Sequence, residues 1–280
     1  RTLNVAATSN RLLSWRTGHS MPATAMDFDA NGNQRSLDLG RTLRWNSRNQ
    51  LDSVLLVQRD DRPHDIECYG YDSSGLRVRK IQTTYTSSAT QTREVRYLPG
   101  LEIRSRPGER LEVITLQAGR CSVRYLHWTE GRPSGIAANQ MRYSLDDHLG
   151  SSSLELDDQA ALISQESYLP FGGTAWMASR SAVEADYRTL RYSGKERDAS
   201  GLYYYGHRYY APWLQRWISP DPAGAVDGLN LYCMVGNNPL RFVDHQGLVH
   251  VDAQGRDIDP FEWPQRAGPA RSQNLLLPPP

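Results

Sequence analysis

One stretch of the chain, residues 200–222, concentrates side chains that could do chemistry. It reads SGLYYYGHRYYAPWLQRWISPDP, so tyrosines and tryptophans lead to an aspartate, Asp221, that stands between two prolines. Aromatic side chains at this density are typical of a packed sheet or of a sugar-binding surface, whereas a positioned carboxylate can act as an acid or base. From these residues alone, a structural wall, a sugar-binding platform and the approach to a catalytic carboxylate all remain open.

Two histidines raise a second kind of chemistry. His207 lies inside the aromatic stretch, and His245 directly follows Asp244. A histidine that activates a serine or cysteine nucleophile is the arrangement of two large protease classes. The nearest candidate nucleophiles are Ser219 and Cys233, and neither lies in a GxSxG elbow or a comparable signature. A serine or cysteine protease is therefore not favoured.

The composition excludes several function classes. The chain has 280 residues, 39% of them hydrophobic, and a formal net charge of +1, so it can bury a core but lacks the charge of a polyanion binder. No apolar run approaches the roughly 18 residues of a membrane helix, and the first residues lack the apolar region of a signal peptide. The three cysteines show no metal-ligand spacing. We therefore expect no nucleic-acid partner, no direct membrane insertion, no metal and no cofactor.

Short runs of alternating or β-branched residues are separated by recurring turn signals. An aromatic residue followed by Asp or Asn and then Gly appears in FDANG (28–32) and YDSSG (71–75). The runs between such signals include SVLLVQRD (53–60), LEVITL (111–116) and SVRYLHW (122–128). Asp or Asn before Gly supplies the positive-φ positions of tight hairpin turns, so the pattern predicts hairpins in a meander. An ordinary β-sandwich would also alternate, but it would not explain the recurring aromatic-Asp pair.

The repeats and the motifs that follow them resemble the Rhs/YD-repeat proteins. From Tyr143 onward the resemblance is to the Rhs-associated core domain, whose motifs occur in order and nearly without gaps. They are DHLGSS (147–152), YLPFG (168–172), YSGKERD (192–198), GLYYYGHRYY (201–210), RWISPDP (216–222) and GLNLYCMVGNNPLRFVD (228–244). The upstream segment, residues 26–158, is more similar to the C component of bacterial Tc toxin complexes than to teneurins or generic Rhs effectors.

This resemblance implies a mainly β fold, in which a YD-repeat sheet forms part of the wall of a hollow cocoon. A C-terminal core domain with short helices would line or plug the end of the cocoon. The implied division is a shell segment (1–142), the core domain (143–248) and a flexible start or remnant of a variable effector (249–280), which is too short to fold alone as an enzyme.

Two local expectations follow for the core domain. Because alternate residues of a strand face opposite sides, one set of tyrosines in residues 203–210 would contact neighbouring strands and the other set would face the lumen. The run LNLYCMV (229–235) is short enough to be a helical turn or a strand, and a short helix is favoured.

The resemblance also implies an intramolecular aspartyl protease. Asp221 and Asp244 match the motif positions of the family's two catalytic aspartates, and Arg208 matches the arginine that accompanies them. Two adjoining carboxylates share one proton, so one can activate water while the other protonates the leaving amide. A guanidinium can orient such a pair or stabilise the charge of the intermediate. Without the resemblance, both aspartates would be interpreted as turn formers.

The same resemblance places the cleavage point just after Asp244, at the bond between Leu248 and Val249 or at the bond between Val249 and His250. Each molecule would cut itself once, because attack is intramolecular and there is no turnover. His245 departs from the family pattern, which often has proline here. Loss of the fixed φ of proline would loosen the turn and reduce cleavage.

Two functions remain open at this point. The favoured one is a toxin-complex shell component that encapsulates its own C-terminal effector and cuts it free. It would be made in the bacterial cytoplasm, with no signal peptide in this chain, and released with the complex. Its expected partner is the Tc B component or the remainder of an Rhs shell, because a sheet of this length leaves open edges. The alternative is a non-cleaving structural YD-repeat module of a surface or contact protein.

Overall fold

A small antiparallel sheet opens the chain. The computed structural model describes residues 2–18, 23–37, 40–119, 121–252 and 254–256. The opening sheet consists of β1 (Thr2–Val5), β2 (Leu12–Arg16) and β3 (Thr24–Ala25), paired in that order. The predicted effector segment lies largely outside the described residues.

A twelve-stranded antiparallel sheet forms the body of the protein. Its strands are β4 (Leu43–Trp45), β5 (Leu51–Val57), β6 (Asp65–Tyr71), β7 (Arg77–Tyr85), β8 (Thr90–Leu98), β9 (Leu101–Arg106), β10 (Glu109–Ala118), β11 (Cys121–Glu130), β12 (Asn139–Asp146), β13 (Ser152–Leu156), β14 (Leu162–Tyr168) and β15 (Thr174–Ser179). Each strand pairs with its neighbours in sequence, so the predicted meander and the mainly β fold are confirmed. Positions 142 and 143, where the predicted domains meet, lie within β12.

Several hairpin turns of this large sheet share one hydrogen-bond pattern. Oδ1 of an Asp or Asn accepts the backbone N–H groups two and four residues further along, and the fourth residue of the turn has a positive φ. Turns of this kind begin at Asn46, Asp147 and Asp157. The turn at Asp72 differs only in that the Ser74 hydroxyl replaces the first N–H group. We call these four the sheet turns, and they explain why Asp or Asn recurs before Gly.

Short elements follow the large sheet. They are helix α1 (Ala182–Ala185), a four-stranded sheet of β16 (Glu196–Arg197), β17 (Tyr203–Tyr204), β18 (Tyr209–Ala211) and β19 (Arg216–Trp217), the pair β20 (Phe242–Asp244) and β21 (His250–Asp252), and 3-10 turns at Tyr192–Gly194, Ala225–Asp227 and Val235–Asn237. Within the described ranges, no helix is long and apolar enough to cross a membrane.

The run 229–235 does not form the short helix favoured from its sequence. It contains no helical residue before Val235, and it pairs through one bridge between Cys233 and Arg216. Its carbonyl groups are used by β19 instead, because Trp217 donates its backbone N–H to Tyr232 and its indole N–H to Cys233. A helix is therefore wrong here, since the backbone finds hydrogen-bond partners in a neighbouring strand.

The tyrosine stretch is packed on both of its faces. Tyr203, Tyr205 and Tyr210 belong to one buried cluster, whereas Tyr204 and Tyr209 contact the cluster that includes residues of the large sheet. Alternation along the strands is thus confirmed, but both sets of tyrosines are packed against other residues, so neither is left open to face a lumen. With these side chains covered, residues 203–210 do not offer an exposed aromatic platform for a sugar.

Buried ion pairs join the large sheet to β16. Arg77 contacts Glu196 and Asp198 at 2.6 Å each, and Lys80 contacts the same two carboxylates at 2.9 and 2.7 Å. Glu67, on the adjoining strand β6, is buried beside this group. The short elements that follow the large sheet are therefore positioned on it by charge pairing as well as by apolar packing.

Candidate functional site

Arg208 is the buried centre of the candidate site. It ends the turn between β17 and β18, where the backbone N–H of Tyr205 donates to the carbonyl of Arg208. Its side chain is 1% exposed, and its guanidinium lies 4.2 Å from the ring centroid of Trp217. Nε donates to the carbonyl of Gly247, and Nη1 donates to the carbonyl of Leu231. These two backbone carbonyl groups fix the guanidinium, and Nη2 is left to contact carboxylates.

Two aspartates meet at Nη2 of Arg208. Oδ2 of Asp221 lies 2.8 Å from this nitrogen and Oδ2 of Asp244 lies 3.6 Å from it. The residues are 7% and 2% exposed, respectively. The contacts are ion pairs rather than aligned hydrogen bonds. The structure therefore brings together all three side chains that the sequence singled out, in a site shielded from solvent.

Each aspartate also forms a turn, and it does so with its other oxygen. Oδ1 of Asp221 accepts the backbone N–H of Ala223 at 2.8 Å. Oδ1 of Asp244 accepts three backbone N–H groups, those of residues 246–248, at 2.6–3.3 Å. The fourth residues of the two turns, Gly224 and Gly247, have positive φ as in the sheet turns. Turn formation and the site thus use different oxygens of the same carboxylates.

Burial sets the electrostatics of the pair. It raises the pKa of Asp221 and of Asp244 above the ordinary aspartate value, and the positive charge of Arg208 only partly offsets this in each case. Burial also lowers the pKa of the Arg208 guanidinium, against the opposing effect of the two carboxylates. Carboxyl groups with raised pKa values retain a proton more readily, which is what a proton-sharing pair requires.

The predicted cleavage segment lies in the turn that Asp244 closes. Strands β20 and β21 pair antiparallel, with Asp244 opposite His250. Between them, the backbone N–H of Leu248 is one of the donors to Asp244. Val249 is 37% exposed, whereas His250 is 4% exposed. The chain therefore turns back beside the buried carboxylates within a few residues.

Two further residues, Lys195 and Asp227, contact this turn and were not singled out from the sequence. Lys195 donates from Nζ to the carbonyl of His245 at 2.7 Å, and Nδ1 of His250 lies 2.5 Å from Oδ1 of Asp227. Lys195 stands in the quoted motif YSGKERD, but nothing in that motif indicates its partner. These contacts join residues 50 and 23 positions apart, which local patterns do not predict.

The competing chemistries find no support in the geometry. In the part of the chain that the structure describes, no hydrogen bond joins Ser219 or Cys233 to His207 or His245, so the serine and cysteine protease arrangements are not formed. Across the same residues, no group of three or more His, Cys, Asp or Glu side chains could hold a metal ion.

Comparison with known proteins shows that the chain is similar to part of several toxin subunits. It is 48% identical over 260 residues to the toxin subunit YenC2 of Yersinia entomophaga. The aligned region covers 90% of this chain and 27% of that protein. Among solved structures, TcdB2-TccC3 without its hypervariable C-terminal region matches with a TM-score of 0.81 and 48% identity, over 88% of this chain and 12% of that one. The Tc holotoxin pore of Photorhabdus luminescens matches with a TM-score of 0.81 and 45% identity, over 91% and 12%.

The match is to one part of longer proteins. This chain spans about a quarter of the length of YenC2 and a smaller share of the solved chains. No protein-family model matches it. High identity over nearly all of this chain, together with the shared fold, nevertheless identifies its family. The chain belongs to the Rhs/YD-repeat proteins, and within them it is similar to the C component of bacterial Tc toxin complexes.

Proposed function

We propose that this chain is a segment of a toxin-complex shell component that cuts its own backbone next to Val249 and thereby frees a C-terminal effector. Asp221 and Asp244 act as the aspartyl pair, and Arg208 orients them. The observation that supports this function best is the meeting of both buried Oδ2 atoms at one Arg208 nitrogen, beside the turn that contains the bond.

The reaction consumes one water molecule. The ionised carboxylate of the pair removes a proton from water, and the water oxygen adds to the carbonyl carbon of the scissile amide. The positive charge of Arg208 stabilises the oxyanion that forms. The protonated carboxyl then gives its proton to the departing nitrogen, the C–N bond breaks, and a new carboxyl and a new amino group result. The pair again holds one proton, but the bond is gone, so each molecule reacts once.

The wider role rests on the relatives. The matched structures are of TcdB2-TccC3 and of a Tc holotoxin, which favours a B component or the remainder of the shell as partner. The solved TccC3 that lacks a hypervariable C-terminal region favours a variable effector beyond residue 249. The division into shell segment (1–142), core domain (143–248) and effector start (249–280) belongs to this proposal. Encapsulation of the effector in the cocoon and release of the complex from the bacterium also belong to this proposal.

The test is intact-mass spectrometry of the chain, alone and co-expressed with a Tc B component. We expect the parent to lose a C-terminal peptide that begins at Val249 or His250, and Asp221→Asn and Asp244→Asn to stay whole. Asparagine keeps an Oδ1 acceptor, as Asn46 does in a sheet turn, so these variants retain the turns. Asp157→Asn, which makes the same change in a sheet turn, is the matched control and should be cut like the parent.

The alternative function predicts a different result. A structural YD-repeat module would leave the folded parent uncut under both conditions, and the Asn variants would be indistinguishable from it. That outcome would rule out autoproteolysis, and the buried contacts of Arg208 would then have a purely structural role.

A further inference from the structure

We propose that Asp227 and His250 form a clamp that holds the chain on the far side of the scissile bond and thereby determines which bond is cut. The side chains of the two residues are positioning groups and are not part of the Asp221–Asp244 pair, although the backbone N–H of His250 belongs to one of the two candidate bonds. This inference rests on the proposed autoproteolysis. We use the name Asp227–His250 clamp for the contacts between these two residues.

The clamp has two contacts to a single oxygen. Oδ1 of Asp227 accepts the backbone N–H of His250 at 3.4 Å, and it also lies 2.5 Å from Nδ1 of the same residue, in a close contact rather than an aligned hydrogen bond. The imidazole also packs against the Phe242 ring, with the centroids 5.1 Å apart. His250 is therefore fixed in both main chain and side chain.

The two candidate bonds lie between two anchored residues. On the near side, the backbone N–H of Leu248 is bonded to Asp244 at 3.3 Å. On the far side, His250 is bonded to Asp227. Val249 alone, between them, is exposed to a substantial degree. Fixing both flanks of a short segment holds its amides in one position relative to the carboxylates, and loss of one anchor lets the segment shift.

The clamp also connects to the other catalytic turn. Asp227 ends the 3-10 turn Ala225–Asp227, which follows the turn formed by Asp221. The negative charge of Asp227 contributes to the raised pKa of Asp221, after burial and against the effect of Arg208. The charged groups around Asp221 are thus Arg208, Asp227 and Asp244. A change at Asp227 should consequently alter the pH profile of cutting as well as the position of the bond.

The first experiment compares cleavage in His250→Gln and Asp227→Asn with the parent, with His245→Gln as the matched control. His245 is an exposed histidine in the same turn whose side chain makes no hydrogen bond among the described residues. We expect both clamp variants to be cut roughly 10- to 100-fold more slowly, with both candidate bonds used, because misplacement of a reacting group costs rate on this scale. We expect the control to match the parent.

Asp227→Asn should in addition move the acidic limb of the pH profile to lower pH, because Asp221 loses a negative neighbour. A purely structural role would slow cutting without this displacement. Cutting at one bond, at the parental rate and with the parental pH profile in both variants, would overturn the inference.

A second measurement separates the clamp from the protease. In the uncut Asp221→Asn background, hydrogen exchange of amides 250–252 should become at least about tenfold faster when Asp227→Asn or His250→Gln is added, but not with His245→Gln. Unchanged exchange would overturn the clamp even if the parent cuts itself. An uncut parent whose exchange responds as expected would instead overturn the proposed function, and with it the positioning role.

Discussion

The sheet turns and the two site turns, which begin at Asp221 and Asp244, are built from the same residue types. The pKa values of Asp72 and Asp157 nevertheless shift in the opposite direction to those of Asp221 and Asp244. In both kinds of turn, Oδ1 of an Asp or Asn accepts backbone N–H, and the fourth residue of the turn has a positive φ. The pKa of Asp157 is lowered, first by the hydrogen bond from Arg180 and then by the turn N–H groups, and the pKa of Asp72 is lowered chiefly by Ser74. Burial raises the pKa of Asp221 and Asp244.

What differs is the surroundings of the second oxygen. In the sheet turn of Asp157, Oδ2 faces the exposed guanidinium of Arg180. In the site turns Oδ2 points at a guanidinium that is itself removed from water. In the proposed function, the same turn motif therefore serves as a structural corner in the sheet and as half of a proton-sharing pair in the site, and burial distinguishes the two roles.

The largest predicted contrast is between the arginines beside the two kinds of turn. Arg208→Met should lower the free energy of unfolding by about 3–5 kcal/mol, because it leaves two buried carboxylates without their partner. Arg48→Met removes an exposed hydrogen bond to the carbonyl of Asp72 and should change stability by less than about 0.5 kcal/mol. Urea unfolding measures both. Equal, small losses would show that the site is not effectively removed from solvent.

A buried carboxylate outside any turn tests whether burial is the cause. Burial, then the charge of Asp198, raise the pKa of Glu67 from 4.5 to about 7. Because the folded value exceeds the unfolded one, stability should fall as pH rises from 4.5 through about 7. Glu67→Gln should remove this fall and be more stable than the parent at pH 8, on the order of a few kcal/mol.

Glu94→Gln provides the control of opposite sign. The pKa of Glu94 is lowered, chiefly by Arg96, so its charge contributes stability that is lost as pH falls through the lowered value. This variant should be less stable than the parent at neutral pH, by less than about 1 kcal/mol because the pair is partly exposed. Thermal unfolding across pH 4–8 checks both variants. A Glu67→Gln profile parallel to the parent would contradict the role assigned to burial.

The fourth residues of the turns provide a smaller contrast. An alanine Cβ at position 247 would lie 3.0 Å from the backbone nitrogen of Arg208, whereas at position 75 it would meet the end of the flexible Gln50 side chain. Positive φ costs both variants about 1–2 kcal/mol. Gly247→Ala should lose about 1–3 kcal/mol more than Gly75→Ala, because it is also overpacked. Equal losses in chemical denaturation would mean that the site turn can relax.

The smallest effect should be a gain. Ala160 occupies the fourth position of a sheet turn with a φ of 59°, a conformation that favours glycine. Ala160→Gly should therefore stabilise the protein by about 0.5 kcal/mol, whereas Ala161→Gly, next to it and outside that conformation, should destabilise by a similar amount. A loss in both variants would show that backbone entropy outweighs the strain.

Part of this arrangement could be predicted from sequence because it is local. Runs of alternating residues between Asp and Gly predict hairpins. The association of Asp221 with Asp244 was predicted only through the family resemblance, because each aspartate alone is typical of a turn. The helix proposed for residues 229–235 was wrong because its carbonyl groups bond to Trp217, which is distant in sequence. The covered face of the tyrosine stretch and the contact of Asp227 with His250 likewise depend on partners that no local pattern names.

The most direct test of the proposed aspartyl pair is a carbon-13 NMR titration of the aspartate carboxyl groups in a single sample of the folded chain. We expect Asp72 and Asp157 to titrate below the ordinary aspartate value. We expect Asp221 and Asp244 to titrate above it as a coupled pair, with a proton still bound at a pH where Asp72 and Asp157 are fully ionised. Titration of all four carboxyl groups below the ordinary value would rule out the pair, because the site would then have no proton to give to the leaving amide.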